Sequence, residues 1–209
     1  IQIKKSQKKV VFAEGEDPNI LKAAIAFKNS RLGIPILIGK EERVREQLKN
    51  IGLDTNFNIE ITSSKDNERR ERYTNYLDKK FQRNGMLERE CDYLVRNDRV
   101  TWGACMVGCG DADAMVTGGI RHHAATIEKL TQVVEARPGE IIFGLTLMVS
   151  KGRTVFIADT NVHDNPTAEQ LVQIAISSTR VARLFGFDPK VAFLSHSTFG
   201  KPSTERTKH

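Results

Sequence analysis

Lys9-Val10-Val11-Phe12-Ala13-Glu14-Gly15-Glu16-Asp17-Pro18 is the stretch whose reading decides the fold. Its first five residues are a short, largely β-branched run, suited to a strand buried on both faces of a parallel sheet. Glu14-Gly15-Glu16 interrupts the run, and Asp17 followed by Pro18 marks a helix start. The aspartate caps free amides, and the proline ring is already set for the first turn. Leu21, Ala24, Ile25 and Leu32 then recur at helical spacing, Gly33 is expected to stop the helix, and Ile34-Pro35-Ile36-Leu37-Ile38-Gly39 is a second strand. Strand, helix, strand in so short a span is the βαβ unit of a parallel sheet.

Outward from this unit the alternation continues. Residues 41–53 form a helix with Val44, Leu48 and Ile51 on one face, and Ile59-Glu60-Ile61 is a short strand. A highly charged helix over 66–82 ends near Gly85, and two further helices over 88–96 and 99–107 stop at Gly108 and Gly110. Asp113 to Thr117 is a strand running into Gly118-Gly119, and residues 124–136 form a helix with Ile127, Leu130, Val133 and Val134 inward. Arg137-Pro138-Gly139 is the expected seam, dividing the chain into a first α/β domain over 1–138 and part of a second over 139–209. Beyond it lie two extended runs, over 141–149 and 154–159, joined by Ser150-Lys151-Gly152. A capping box at Thr167-Ala168-Glu169-Gln170 opens an amphipathic helix closed by Gly186. Val191 to Leu194 is expected as a last strand, after which the chain stops with its sheet unfinished, which predicts self-association.

Composition narrows the function classes. With 39% hydrophobic and 28% charged residues the chain has the make-up of a globular protein with a substantial core. It has no apolar run of about 20 residues to span a bilayer and no secretory leader, so the expected location is cytoplasmic. Cys91, Cys105 and Cys109 are too few and too odd a set for a disulfide framework or a zinc site, and are read as free thiols. The formal charge of +6 comes with acidic residues mixed among the basic ones over 69–99, the pattern of a solvated helix surface rather than a nucleic-acid track.

Ligands of parallel α/β sheets gather at the carboxyl ends of strands. Four such ends carry suggestive residues: Glu14 to Asp17, Thr117 to His123, Asp159-Thr160-Asn161, and Ser195 to Gly200. None is a dinucleotide fingerprint, a P-loop or a nucleophile elbow. The hydroxyls and close-approach glycine of Ser195-His196-Ser197-Thr198-Phe199-Gly200 suit a phosphate or acyl phosphate, although the same residues also make a plain turn. Arg121 can clamp a phosphate, and His122 or His123 can titrate near neutrality. Adjacent histidines diverge on a helix, so no metal is expected. Asp159 is either a base or the anchor of a helix start. The candidate ligand residues are therefore Thr117, Gly118, Arg121, Asp159, Ser195, Ser197, Thr198 and Gly200.

In order, five stretches resemble the phosphate acetyl/butyryltransferase family: Phe12 to Asp17, Gly110 to Gly118, Phe156 to Thr160, Asn165 to Leu171, and Pro189 to Ser197. The Phe-Ala-Glu-Gly opening, the Ala-Asp-Thr-Asn-Val run from Ala158 and the Ser-His-Ser-Thr-Phe-Gly loop look most like the domain at the C-terminus of bacterial NADP-dependent malic enzymes. The resemblance implies α/β domains of the isocitrate dehydrogenase-like type and a site that takes acetyl-CoA or an acyl phosphate. It implies no cofactor in this chain, NADP and a divalent metal belonging to an upstream malic-enzyme domain.

Active members carry a catalytic Arg near the end of the long charged helix. Phe81 stands there, and Arg83, two residues on, points about 200° away. The chain also stops short of the stretch that would bring the catalytic Ser and carboxylate. The resemblance thus implies a regulatory acetyl-CoA-binding and oligomerisation module with little transferase activity. The alternatives are an active phosphate acyltransferase and a purely structural oligomerisation domain.

Overall fold

The computed structural model describes residues 7–53 and 57–195. The chain divides into two compact units, residues 1–134 and 135–209.

The first unit is built on a four-stranded sheet. Its elements run β1 (Lys8–Phe12), α1 (Pro18–Asn29), β2 (Gly33–Ile38), α2 (Glu41–Asn50), β3 (Glu60–Thr62), α3 (Asn67–Phe81), α4 (Glu88–Asn97), α5 (Arg99–Gly108), β4 (Ala114–Val116) and α6 (His123–Val133). The spatial order is β3-β2-β1-β4, and every pairing is parallel. The chain steps from β1 outward through β2 to β3, then returns to the opposite edge of β1 as β4. That reversal places a topological switch point between β1 and β4, at whose carboxyl ends ligands of open α/β sheets bind.

Side-chain alternation along the strands assembles two cores. Val11, Ala13, Ile36 and Ile38 pack on one side with Tyr73, Leu77, Val95, Trp102 and Met106 from α3, α4 and α5. Phe12 and Leu37 face the other way, onto Leu21, Ala24, Ile25, Val44 and Leu48 of α1 and α2. Adjacent strand residues thus serve opposite helical layers, as the pleat requires. Tyr73 and Trp102 meet edge to face with centroids 4.9 Å apart. The Tyr73 hydroxyl donates to Asp111 at 2.5 Å. Burial, reinforced by that carboxylate, pushes the phenol well above its ordinary range.

Asp17 caps α1 as expected, its side chain accepting from the Asn19 and Ile20 amides with Pro18 in the first turn. Gly33, however, does not stop this helix. α1 ends at Asn29, Arg31 takes the left-handed conformation (φ 54°), and Leu32 lies outside the helix. Gly33 instead opens β2, where a Cβ would come within 2.5 Å of the Lys8 carbonyl oxygen and 2.8 Å of the Phe27 ring. The glycine is required by close approach of strand and helix, not by a turn. α6 also stops earlier than its apolar spacing suggests, at Val133 rather than 136; of its expected inner residues Val133 is buried, Leu130 and Val134 pack beside it, and Thr126 is buried as well.

The second unit contains β5 (Leu145–Ser150), β6 (Arg153–Ala158) and α7 (Ala168–Leu184). β5 and β6 form an antiparallel hairpin, Leu145 opposite Ala158 and Ser150 opposite Arg153. Its turn is Lys151-Gly152, both at positive φ (47° and 76°), the geometry that matches the twist of two-residue hairpins. The Thr167–Gln170 capping box is present, and Gly186 (φ 84°) follows the end of α7. Phe156 of β6 packs against Phe185 and Phe187 at centroid distances of 6.0 and 5.6 Å. Val191 to Leu194, expected as a strand, pairs with no strand among the described residues. Leu194 is 94% exposed.

Gly33→Ala is expected to destabilise the first unit by about 1–3 kcal/mol, because the added methyl meets backbone that cannot give way. Urea unfolding of the variant beside the unaltered chain measures this.

Candidate functional site at the carboxyl ends of β1 and β4

At the switch point the chain turns directly after Phe12, the Asp17 amide donating to the Glu14 carbonyl. The Ala13 amide donates to Val116 on one side and the Gly15 amide to Ile38 on the other. Gly15 is glycine because a Cβ there would stand 2.9 Å from the Leu37 Cβ and 3.0 Å from the Ile38 carbonyl oxygen. Between them, Glu14 is only 2% exposed. Its Oε1 accepts from the Thr117 hydroxyl at 3.0 Å and from the Gly118 amide at 3.1 Å. Its Oε2 is buried with no hydrogen-bond partner among the described residues. Leaving such an oxygen unpaired costs about 1–3 kcal/mol.

The Thr117–Arg121 loop is pinned at its far end by a second buried carboxylate. Asp98, 7% exposed, caps α5: Oδ1 accepts from the Val100 amide at 3.1 Å, and Oδ2 from the Thr101 hydroxyl at 3.3 Å. Arg121 Nη1 reaches Oδ1 at 3.2 Å, and Lys129 of α6 pairs with Oδ2. Between the pinned ends, Gly119 runs close to α1, where a Cβ would sit 2.9 Å from Ile20 Cδ1. β1, α1 and α5 thus each hold one part of the loop that follows β4.

Glu16 forms a third anchor. Its Oε1 accepts from the Lys40 amide and pairs with Arg99, both at 2.7 Å, and Arg43 approaches Oε2 at 3.4 Å. Burial pulls its carboxyl upward, but the Arg99 and Lys40 hydrogen bonds and the nearby positive charge outweigh it. The net effect holds Glu16 below its ordinary value. Asp98 and Arg99, adjacent on the first turn of α5, therefore tie Arg121 and Glu16 to the same helix end.

These contacts relocate the expected ligand residues. Thr117, Gly118 and Arg121 come together at one strand end, but the donors of Thr117 and Gly118 are spent on Glu14, while Arg121 leans on Asp98. Asp159 and Ser195 belong to the other unit. The Asp159 side chain, 3% exposed, accepts from the Gly144 amide at 2.6 Å and the His163 amide at 2.8 Å, and lies 2.5 Å from His163 Nδ1. That arrangement ties the start of β5 to the loop after β6 and caps no helix, the next helix being capped by Thr167. Ser195 is exposed, and Ser197, Thr198 and Gly200 lie outside the described residues.

Glu14 falls in a strand end that the sequence singles out, though not among the candidate ligand residues, whereas the buried acid Asp98 and the cation Lys129 are not singled out by sequence. A glutamate just after the apolar run Val10 to Ala13 is a usable signal for Glu14. Asp98 reads as an ordinary helix cap, and Lys129 as one of many surface lysines.

Other chemistry is not supported by side-chain placement. Burial pushes the thiols of Cys91, Cys105 and Cys109 above their ordinary range, so they are protonated at neutral pH. Among the described residues there is no group of three or more His, Cys, Asp or Glu side chains placed to hold a metal, and no helix long and apolar enough to cross a membrane.

A parallel α/β unit with buried carboxylates at its switch point is joined in sequence to a smaller hairpin-and-helix unit. The chain belongs to the phosphate acetyl/butaryl transferase family, whose model matches residues 1–209. It is 39% identical over 208 residues to an NADP-dependent malic enzyme of Rhizobium meliloti (strain 1021), covering 99% of this chain and 27% of that protein. It is 34% identical over 197 residues to a phosphate acetyltransferase of Nitratidesulfovibrio vulgaris, covering 93% of this chain and 28% of that one. A phosphotransacetylase from Streptococcus pyogenes has a similar structure, with a TM-score of 0.81 and 29% identity over 95% of this chain and 60% of that one. The chain thus spans little more than a quarter of these sequence relatives and about three-fifths of the solved structure.

Because Glu16 is held below its ordinary value of 4.5, its stabilising contribution is complete above that pH and is lost as the pH falls through the depressed value. Glu16→Gln is expected to flatten the loss of stability below pH 4.5, read from thermal unfolding at a series of pH values; curves of equal slope for variant and unaltered chain count against this pairing.

Proposed function

We propose that this chain is a phosphate acetyltransferase-like module of an NADP-dependent malic enzyme, which binds acetyl-CoA as an effector and contributes to an oligomer, with little or no acyl transfer of its own. The observation that carries the reading is Phe81. It ends α3 with its ring packed against the core formed with Tyr73, Leu77 and Trp102, at the position where the family resemblance calls for a catalytic arginine. A ring packed into the core cannot hold a phosphate. The order of the loop after β4, pinned by Glu14 and Asp98, supports a binding role. Similarity to the Rhizobium meliloti malic enzyme along nearly the whole chain supports the setting in a longer polypeptide. Exposed Met148, Val149, Val155 and Leu184 in the second unit supply apolar surface of the kind that subunit contacts cover.

The second reading is an active phosphate acyltransferase, favoured by the structural likeness to the Streptococcus pyogenes phosphotransacetylase. The two separate cleanly. Calorimetry of the full chain with acetyl-CoA is expected to give micromolar binding, about −8 kcal/mol. An assay for acetyl phosphate formation from acetyl-CoA and phosphate is expected to give none. Turnover would establish the second reading, and absence of both binding and turnover would leave only a structural role.

A further inference from the structure

We infer that the outward face of α7 is a self-pairing surface, on which a second copy of this chain lays its own α7 antiparallel about a two-fold axis at Ile176. The pairing rests on the oligomeric part of the reading above and gives that part a surface.

The pattern along the helix is the first reason. α7 turns Ile174 and Ala182 inward, where both are buried. Glu169, Val172, Ile176, Arg180 and Arg183 recur at intervals of three and four residues, which sets them on one stripe facing away from that buried side. Val172 and Ile176 are 53% and 57% exposed. The outer face of a solvated helix is ordinarily polar along its length. This one has an apolar centre, with an acid at one end and arginines at the other.

Charge is the second. Glu169 stands in the first turn and Arg183 in the last, two turns to either side of Ile176. Turning the helix over about Ile176 therefore brings Glu169 of each copy to Arg183 of the other, and sets Ile176 on its own counterpart. Such a contact is isologous, so the same pairing of charges is made twice. Antiparallel packing also sets the electropositive start of one helix beside the electronegative end of the other. Arg180 keeps Glu140 at 2.7 Å, and its aliphatic stem covers the facing helix.

Shape is the third. Beside the stripe runs a groove of about 600 Å³, lined by Ile176, Thr179, Leu184, Val191 and Phe193 among others. Val191 and Phe193 are both more than half exposed. In the two-fold pairing, Val172 of the other copy arrives opposite Thr179 and Arg180, at the mouth of this groove. There it covers apolar surface that otherwise faces water.

Sedimentation equilibrium of the full chain over a range of concentrations tests the pairing. Glu169→Arg and Arg183→Glu are each expected to weaken self-association about tenfold or more, since each replaces two attractive contacts by two repulsive ones. An equimolar mixture of these two variants is expected to associate within about threefold of the unaltered chain, because every contact across the axis again joins opposite charges. Ile176→Glu is expected to abolish association, and Val149→Glu, on the exposed hairpin, to leave it within about twofold.

Association that survives Ile176→Glu overturns the α7 pairing, and its loss in Val149→Glu instead moves the contact to the hairpin. A mixture no stronger than either charge variant alone overturns the pairing as well. A chain that stays monomeric at every concentration removes both the pairing and the oligomeric part of the proposed function, while calorimetry with acetyl-CoA decides the effector part separately. If the charge variants do not fold, Ile176→Cys takes their place: at the axis it faces its own copy, and a mild oxidant is expected to link two chains through it but not through Val149→Cys. Absence of that link overturns the pairing.

Discussion

The parallel pairing of β1 on both of its edges is the constraint on which the first unit depends. Val10, Val11 and Phe12 are registered against Pro35, Ile36 and Leu37 on one side and against Ala114, Met115 and Val116 on the other. A strand so placed has no solvent-facing edge, and both faces must be apolar because helices cover each. It also forces the chain to leave β1 in one direction and come back on the other. The meeting of Glu14 with Thr117 is a consequence of that path rather than of any local motif. The residues that meet there come from positions about a hundred apart in sequence, and none of them carries a recognisable signature alone.

The energetics of this end of the sheet run against simple stabilisation. A carboxylate with one oxygen unpaired, and a second one buried under two cations, are both costly compared with apolar packing of the same volume. What they supply is order in the intervening loop. Gly118 and Arg121 are held by side chains from β1 and α5, and Gly119 by contact with Ile20. A loop fixed at both ends and in the middle loses little freedom when a ligand arrives.

Much of the architecture was legible because it follows from period and punctuation. The β-branched run at Val10-Val11, the Asp17-Pro18 start and the Thr167–Gln170 box each produce local structure by a mechanism confined to a few neighbours. The misreadings share a different cause. Gly33 looks like a helix stop because glycine commonly ends helices, yet its role is set by Lys8 and Phe27, one from the neighbouring strand and one from the helix packed on it. Val191 to Leu194 has strand composition, but a strand exists only where another edge accepts it. Asp98 caps its helix just as a sequence reader would expect, and nothing local announces that Arg121 and Lys129 will arrive at the same carboxylate. Site residues are legible to the extent that their partners are sequence neighbours.

Asp98 serves two purposes with one side chain, and the two are chemically separable. Capping requires only an oxygen that accepts from the Val100 amide, which asparagine also offers. Holding two cations requires a full negative charge. Drift between Asp and Asn at this position is therefore nearly silent for the helix but rewrites the electrostatics of the loop across from it. Selection acting on the fold alone would tolerate either residue; selection acting on the charge at this strand end would accept only the acid. The helix end and the neighbouring loop thus place different demands on one position.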